Sequence, residues 1–322
     1  VLVIGSGFAG LAAASKLIEA GFEDVLVLEA KERVGGRVHT TKPFTENIIE
    51  VGANWIHGQK GNPLYKIAKE KNLLSEGPSA MKNMCLPHSV SPRDYFFNED
   101  GKPVPKSVVD QVCARFSKLT DKAFDDELDG KYRKLTLGAY LDDAFGGTEL
   151  SKTEDARQVY EWCKRVECTD EACSSLYEIS ASQLSNYTEL EGGFFNTLGP
   201  GGYQAILDVL LRDHAKTMFD PTLPEKKLSA INDLGFGIVN KIFLFFEKSF
   251  WPDDCAGVQL VWKEGPEDKD VYEDLSEGED WKQTWFKKIT GFDTVARHPT
   301  ALCGWITGRE ALYMESLQDR EI

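Results

Sequence analysis

The chain has 322 residues, of which 42% are hydrophobic and 11% aromatic, enough to bury a large core and to form about two domains. This composition excludes a disordered chain, and no apolar stretch is long enough to predict a membrane span. The formal net charge of −15 argues against nucleic acid and anionic membranes as partners and suits a cationic ligand, with acidic charge kept only for solubility as the alternative.

A glycine-rich turn opens the chain between an apolar strand and a helix. Residues 1–4, VLVI, form a β-branched run that is typical of a strand covered on both faces. Gly5, Gly7 and Gly10 follow in G-x-G-x-x-G spacing, which allows a tight turn and close approach of a pyrophosphate to the backbone. Helix-forming residues then run from 11 to 20. This segment predicts a nucleotide-binding strand, turn and helix.

Glu29 closes the second strand of this unit, VLVLEA, 19 residues after Gly10. A carboxylate at this position accepts hydrogen bonds from ribose hydroxyls and repels a 2′-phosphate. The pattern therefore favours a nucleotide cofactor without a 2′-phosphate. A tight turn followed by a chance acidic residue is the structural alternative.

Two further glycine motifs follow Glu29. In AKERVGGRV, Gly35 and Gly36 allow a ligand to approach the backbone closely, and the adjacent Arg37 can make a charged contact to phosphate. The second motif, IIEVGANWIHG, carries Gly52 and Ala53. In this order the motifs resemble the FAD-binding signature of the flavin-dependent amine oxidases. GANWIHG together with GNPLYKIAKEKNLL is most similar to the polyamine oxidase branch, which contains spermine and acetylpolyamine oxidases.

The resemblance implies FAD as the cofactor and an α/β fold, with a Rossmann-like βαβ FAD-binding domain and a second α+β substrate domain built on a mixed sheet flanked by helices. We expect residues 1–75 and 191–220 to form the FAD-binding domain, and residues 76–190 and 221–322 to form the substrate domain. The implied cofactor-binding residues are Gly5, Gly7, Ala9, Gly10, Glu29, Gly36, Arg37, Gly52, Ala53, Asn54 and Trp55. For Trp55, packing in the core is the alternative role.

Helical periodicity dominates the middle of the chain and strands dominate its end. PKSVVDQVCARFSKLTDKAF, TLGAYLDDAF and TEDARQVYEWCKRVE carry apolar residues at three- and four-residue spacing, and a Gly-rich turn then precedes a helix over residues 203–211. AINDLGFGIVNKIFLFF predicts a helix followed by a long strand. VQLVW, WFKKITGFDTV and TALCGWITG predict further strands of one sheet, REALYMESLQDREI a last helix, and EGPEDKDVYEDLSEGED a solvated loop.

Lys241 lies within the apolar run IVNKIFLFF. A lysine there costs free energy unless it is paired or reaches water, so a solvated, outward-facing lysine is one interpretation. The resemblance, carried by NKIFL, implies instead the family's lysine that holds a water against the flavin N5. A pKa lowered by burial would let this lysine orient or activate that water.

His57, in NWIHG, directly follows the Gly-Ala motif. A purely structural histidine is one interpretation. In the polyamine oxidase branch a histidine at this position faces the substrate cavity, so the resemblance implies that His57 positions the substrate. Lys241 and His57 are therefore the predicted catalytic residues.

The implied activity is FAD-dependent oxidation of spermine or an acetylated polyamine at a carbon next to an amine nitrogen. The products are an aldehyde, a shorter amine and, from dioxygen, hydrogen peroxide. Another flavin amine oxidase, acting on monoamines or methyl-lysine, stays open as an alternative. So does a catalytically silent form that acts by binding or dimerisation, because we expect the chain to lack an internal segment after AILDVLL and the family's C-terminal FAD motif.

Seven cysteines are scattered without a C-x-x-C pair. The five-residue spacing of Cys163, Cys168 and Cys173 would fan them around a helix instead of gathering them on a metal. We therefore expect reduced thiols, no metal site and an intracellular protein, cytoplasmic or peroxisomal. The expected partners are a cationic polyamine and dioxygen, and the expected assembly is a monomer or a homodimer.

Overall fold

The computed structural model describes residues 1–43, 47–75, 93–210, 237–263 and 280–318. The chain divides into two compact units, Val1–Lys82 with Glu189–Gly235 and Asn83–Thr188 with Phe236–Ile322. Each unit combines two separate stretches of chain. The predicted boundaries, after residues 75, 190 and 220, lie seven, two and fifteen residues from these divisions, and the roles of the two units in binding FAD and substrate stay predictions.

The first unit begins with a parallel βαβ segment. Strand β1 (Leu2–Ile4) pairs with β2 (Leu26–Leu28), and helix α1 (Phe8–Glu19) connects them. The prediction that β1 is covered on both faces was wrong, because α1 packs on the face of Val3 and, among the described strands, only β2 pairs with β1. The exposed fraction is consequently 51% for Val1, 46% for Leu2 and 40% for Ile4.

A small hairpin and two helices complete the described part of the first unit. Strands β3 (Thr40–Thr41) and β4 (Ile49–Glu50) are antiparallel. Helix α6 (Gly202–Leu210), which begins one residue earlier than predicted, packs against this hairpin, and helix α2 (Pro63–Glu70) packs against α6. Apolar side chains from both stretches of chain meet in one core, whose buried members are Leu11, Val38, Ile56, Ala68, Leu198, Tyr203, Ile206 and Leu207.

The second unit contains the three predicted central helices. They are α3 (Lys106–Phe124), α4 (Leu137–Gly146) and α5 (Glu154–Asp170), and their apolar stripes face one another as the periodicity predicts. Short 3-10 helices at Tyr132–Lys134, Leu150–Lys152, Leu176–Glu178 and Ala181–Asn186 connect and follow them. The largest fully buried side chains of this core are Trp162, Tyr140, Phe116, Leu137, Leu141 and Leu176.

A five-stranded mixed sheet forms the rest of the second unit. Its order is β5 (Asp94–Asn98), β7 (Gly257–Val261), β8 (Gly291–Val295), β9 (His298–Thr307) and β6 (Val239–Phe245). Strand β5 is parallel to β7 and the other pairs are antiparallel, which confirms the predicted mixed sheet flanked by helices. The last helix, α7 (Gly308–Ser316), packs on the sheet face of Ile242 and Ile306.

One predicted strand was partly wrong. Only the second half of WFKKITGFDTV is extended, as β8, whereas Trp285–Lys288 is a 3-10 helix. Tertiary contacts explain this 3-10 helix. The centroids of the Trp262 and Phe286 rings lie 5.6 Å apart, and the Lys288 ammonium donates a hydrogen bond of 2.8 Å to the Ser174 carbonyl. The helix predicted in AINDLG and most of the acidic stretch lie outside the described residues. Within the described ranges, every helix is too short or too polar to cross a membrane.

Candidate cofactor and substrate site

The glycine turn between β1 and α1 leaves no room for a side chain at its third glycine. Gly5 has a left-handed φ of +84°, and a Cβ on Gly10 would lie 1.9 Å from the Gly5 carbonyl oxygen. At Gly7, by contrast, an added Cβ would have only the Gly35 oxygen within 4 Å, at 3.8 Å. Helix α1 has no side-chain cap and no acidic residue in its first turn. Its positive end is therefore available to a phosphate.

Glu29 is tied directly to the glycine turn. Its Oε2 accepts hydrogen bonds from the Ser6 backbone N–H at 2.9 Å and from the Ser6 hydroxyl at 2.6 Å, and its Oε1 accepts one from the Lys31 N–H at 3.0 Å. The two bonds from Ser6 are the main reason why the pKa of Glu29 falls to about 2. The carboxylate is therefore ionised and held at the end of β2. Ser6 was not predicted, although a hydroxyl between two glycines of the turn was a usable signal.

The second glycine loop lies against the first. The Gly35 N–H donates to the Ser6 carbonyl at 2.9 Å, and a Cβ on Gly36 would lie 3.6 Å from the Gly7 Cα. Arg33 braces this loop, since its guanidinium donates to the Gly36 oxygen at 2.8 Å and to the Val38 oxygen at 3.0 Å. Arg33 was also missed, although a second arginine four residues before the predicted one was visible.

Arg37 differs from Arg33 in its surroundings. Its side chain is exposed, whereas the Arg33 guanidinium is used within the loop. An exposed guanidinium can bind phosphate oxygens in a bidentate manner. We therefore assign Arg33 to the structure of the loop and keep Arg37 as the predicted phosphate ligand.

The Gly-Ala motif packs on the same loop. A Cβ on Gly52 would lie 2.1 Å from the Arg37 carbonyl oxygen, to which the Ala53 N–H donates at 3.2 Å. The structure thus brings the three glycine motifs and Glu29 together at one end of β1 and β2. Ala9 is exposed in the first turn of α1, and Asn54 is half-buried beside Ala53.

Trp55 and His57 belong to a cluster of aromatic rings. The centroid of the His57 ring lies 4.6 Å from that of Phe194, 5.6 Å from that of Phe195 and 6.2 Å from that of Trp55. Trp55 packs edge-on against Phe195 at 5.6 Å, and its carbonyl accepts a hydrogen bond from the Tyr203 hydroxyl. Trp55 therefore has a packing role, and its predicted contact with the cofactor stays a prediction.

Backbone pairing holds this cluster together across the two stretches of the unit. Ile56 and Asn196 exchange backbone hydrogen bonds of 2.9 and 3.1 Å, and the Asn196 amide donates to the Ile56 oxygen at 2.8 Å. Asn62, which caps α2, donates to the His57 carbonyl at 2.8 Å. The loop that carries His57 is therefore fixed from both sides. Phe194 and Phe195 were not predicted, since nothing local links residues so far along the chain to His57.

The electrostatics at His57 come from two opposing causes. The surrounding rings desolvate the imidazole and lower its pKa below the ordinary 6.5, although part of its surface stays exposed, and the negative charge of Glu189 acts in the opposite direction. Glu189 is placed here because its neighbour Leu190 packs on Gly58, where an added Cβ would lie 2.5 Å from the Leu190 Cβ. A neutral imidazole beside an exposed carboxylate can accept a hydrogen bond from an ammonium N–H.

Lys241 lies in the second unit, half-buried on β6. Its ammonium lies 4.5 Å from the centroid of the Trp305 ring. This contact fits both the outward-facing, solvated lysine and the lysine that the resemblance implies. Its predicted role beside a flavin stays a prediction.

The family model for flavin containing amine oxidoreductases matches residues 8–214 and 207–322, nearly the whole chain. The chain belongs to this family. Its cofactor is FAD, and it is a flavin-dependent amine oxidase. The two matched pieces overlap at residues 207–214, around the position after AILDVLL where we expected an internal segment to be missing.

Relatives of this amine oxidase include several polyamine oxidases. The chain is 29% identical to the peroxisomal N(1)-acetyl-spermine/spermidine oxidase of Homo sapiens, over 100% of this chain and 75% of the relative. It is 29% identical to polyamine oxidase 2 of Arabidopsis thaliana, over 78% of this chain and 59% of the relative. These relatives confirm the polyamine oxidase branch. The human match spans 391 aligned positions, so that relative has residues within the matched region that this chain lacks.

A solved structure of a redesigned putrescine oxidase double mutant has the same fold. The TM-score is 0.55 at 16% identity, and the match covers 99% of this chain and 78% of the other. The predicted fold class is thereby confirmed.

The amine oxidase chain carries a cradle that fits the dinucleotide part of FAD. The space next to the Gly7 backbone is nearly empty, so a phosphate can approach that backbone closely. The N-terminus of α1 has no side-chain cap, and the ionised Glu29 directly follows the adjacent strand. Gly7 and Arg37 would contact the pyrophosphate and Glu29 the ribose. When bound, FAD supplies the two-electron acceptor for amine oxidation.

Proposed function

We propose that this amine oxidase oxidises polyamines, spermine or acetylated polyamines, at a carbon next to an amine nitrogen. The products would be an aldehyde, a shorter amine and hydrogen peroxide. The observation that carries the proposal is the environment of His57, which lies among Trp55, Phe194 and Phe195 and within the electrostatic influence of Glu189. Aromatic faces and a carboxylate attract an alkylammonium, and a neutral imidazole orients one of its N–H groups.

The substrate class is tested with the purified chain. The chain is loaded with FAD, its flavin absorbance is recorded, and peroxide release is measured with spermine, N-acetylspermine, a monoamine and a methyl-lysine peptide. We expect turnover of the two polyamines alone. A preference for the monoamine or the peptide would contradict the proposed substrate, and flavin binding without turnover of any amine would favour the catalytically silent form.

We propose an intracellular location, cytoplasmic or peroxisomal, and the human relative is named as peroxisomal.

Glu29→Ala is expected to weaken FAD retention by about 1–3 kcal/mol, the cost of losing hydrogen bonds to a charged group. Because the folded pKa of Glu29 is lowered to about 2, its hydrogen bonds with Ser6 also contribute free energy of unfolding, which is present in full above about pH 4.5 and is lost as the pH falls toward 2. Flavin content after extensive dialysis at pH 7 measures the first effect, and urea unfolding of the wild type and the variant at pH 7 and at pH 3 measures the second. Glu32→Ala, an exposed glutamate of the following loop, is the control. Equal flavin content in the two variants would overturn the assignment.

His57→Ala is expected to keep its flavin and to lose roughly 10²-fold in kcat/KM for polyamines, because an orienting hydrogen-bond partner of the substrate is removed. Flavin absorbance and peroxide release are measured on the same sample. His57→Gln, which keeps a hydrogen-bond acceptor, should recover part of the loss. Parallel loss of flavin and activity would show that His57 is structural.

A further inference from the structure

One aromatic ring faces Lys241 from the neighbouring strand. Strand β6 lies at the edge of the described sheet, next to β9, and the register places Trp305 directly opposite Lys241. Residues directly opposite in an antiparallel pair point to the same face. The distance of 4.5 Å from the Lys241 ammonium to the centroid of the Trp305 ring lies within the range of a cation–π interaction.

A lysine on an edge strand has a long side chain with many rotamers, so its ammonium is not placed by the backbone alone. A ring face on the adjacent strand removes much of this freedom. We propose that Trp305 is a positioning residue for Lys241. The negative face of its indole ring attracts the Lys241 ammonium and so restricts the lysine side chain to one orientation. This proposal rests on the proposed role of Lys241 in amine oxidation.

Other titratable groups on this face of the sheet determine how the pair is tested. Cys303 lies opposite Phe243, and Asp293 lies opposite Cys303. Burial raises the pKa of Cys303 to about 12, and burial with the nearby charge of Asp94 raises the pKa of Asp293 to about 7. Between pH 8 and 11 the thiol therefore stays neutral and the carboxylate stays ionised. Helix α7 packs on the opposite face of β6, with Ile242.

Trace acylation measures the protonation of Lys241 without any flavin. The full chain is treated with acetic anhydride between pH 8 and 11, and the labelling of the Lys241 peptide is followed by mass spectrometry. Only the neutral amine reacts, and the ring stabilises the charged form. The pH at which labelling of Lys241 is half of its maximum should therefore fall by about half a pH unit in Trp305→Leu and by less in Trp305→Phe; this pH is the labelling midpoint.

Fluorinated tryptophan at position 305 keeps the shape of the ring and weakens its negative face, so it stays informative if Trp305→Leu does not fold. The midpoint should fall stepwise with each added fluorine. The same substitution at Trp281, which lies over the Arg309 guanidinium, is the control and should leave Lys241 unchanged. A constant midpoint across the fluorine series would overturn the proposal. A stepwise fall together with normal amine oxidation by Lys241→Met would keep the contact but refute its catalytic purpose.

Discussion

Lys241→Met, in the chain loaded with FAD, is expected to slow flavin reduction by the amine, or reoxidation by dioxygen, by roughly 10²-fold or more. This is the loss expected when a positioned proton-transfer group is removed. Methionine keeps most of the length and removes the charge from a half-buried strand position, so the sheet should stay folded. Anaerobic stopped-flow mixing with spermine, followed by mixing with oxygen, separates the two rates.

Lys248→Met is the matched control for this experiment. Lys248 follows the same strand at an exposed position, so removing its charge should change neither rate. Lys241→Arg keeps the cation but not the compact ammonium, and we expect it to be impaired as well. Wild-type rates in both half-reactions of Lys241→Met would contradict the proposed role.

Gly10→Ala is expected to cost more than about 3 kcal/mol of unfolding free energy and to abolish FAD retention. The added Cβ would lie 1.9 Å from the Gly5 carbonyl oxygen and 3.4 Å from the Val3 side chain, so α1 cannot keep its position against β1. Both neighbours belong to the turn and the strand that form the nucleotide cradle. Urea unfolding and flavin content measure the two losses.

Gly146→Ala provides the comparison for the glycine turn. Gly146 is the last residue of α4, and an added Cβ there would meet nothing within 4 Å. We expect its unfolding free energy to change by less than about 1 kcal/mol, the size of the helix propensity difference. If Gly10→Ala matched Gly146→Ala in stability and flavin content, the turn would not be closed as described.

Much of the cofactor cradle was predictable from sequence, because its rules are local. Glycine at positions 5, 10, 35 and 52 is required by positive φ or by backbone contacts within a few residues or between adjoining motifs. The βαβ order, the central helices and most strands follow from the spacing of apolar residues. The roles of Lys241 and His57 followed only from the resemblance, since neither a lysine in an apolar strand nor an isolated histidine defines a reaction.

Other features depended on contacts that no local rule describes. The exposure of β1 is set by which neighbours cover it, and the 3-10 helix at Trp285–Lys288 is set by side chains packed from elsewhere in the unit. An apolar run or an alternating pattern does not carry this information. Both errors therefore arose where burial was assumed from composition.

The division of labour within the site was likewise decided by tertiary structure. The sequence motif selected Arg37 as the phosphate ligand, but it did not reveal that Arg33 braces a glycine loop, because the hydrogen-bond partners of Arg33 depend on the folded loop. It could not place Phe194 against His57, since backbone pairing between distant stretches creates that contact. Residue type determined which chemistry was available to this amine oxidase, and long-range packing determined which side chains were left free to use it, because burial and hydrogen-bond partners are properties of the folded chain.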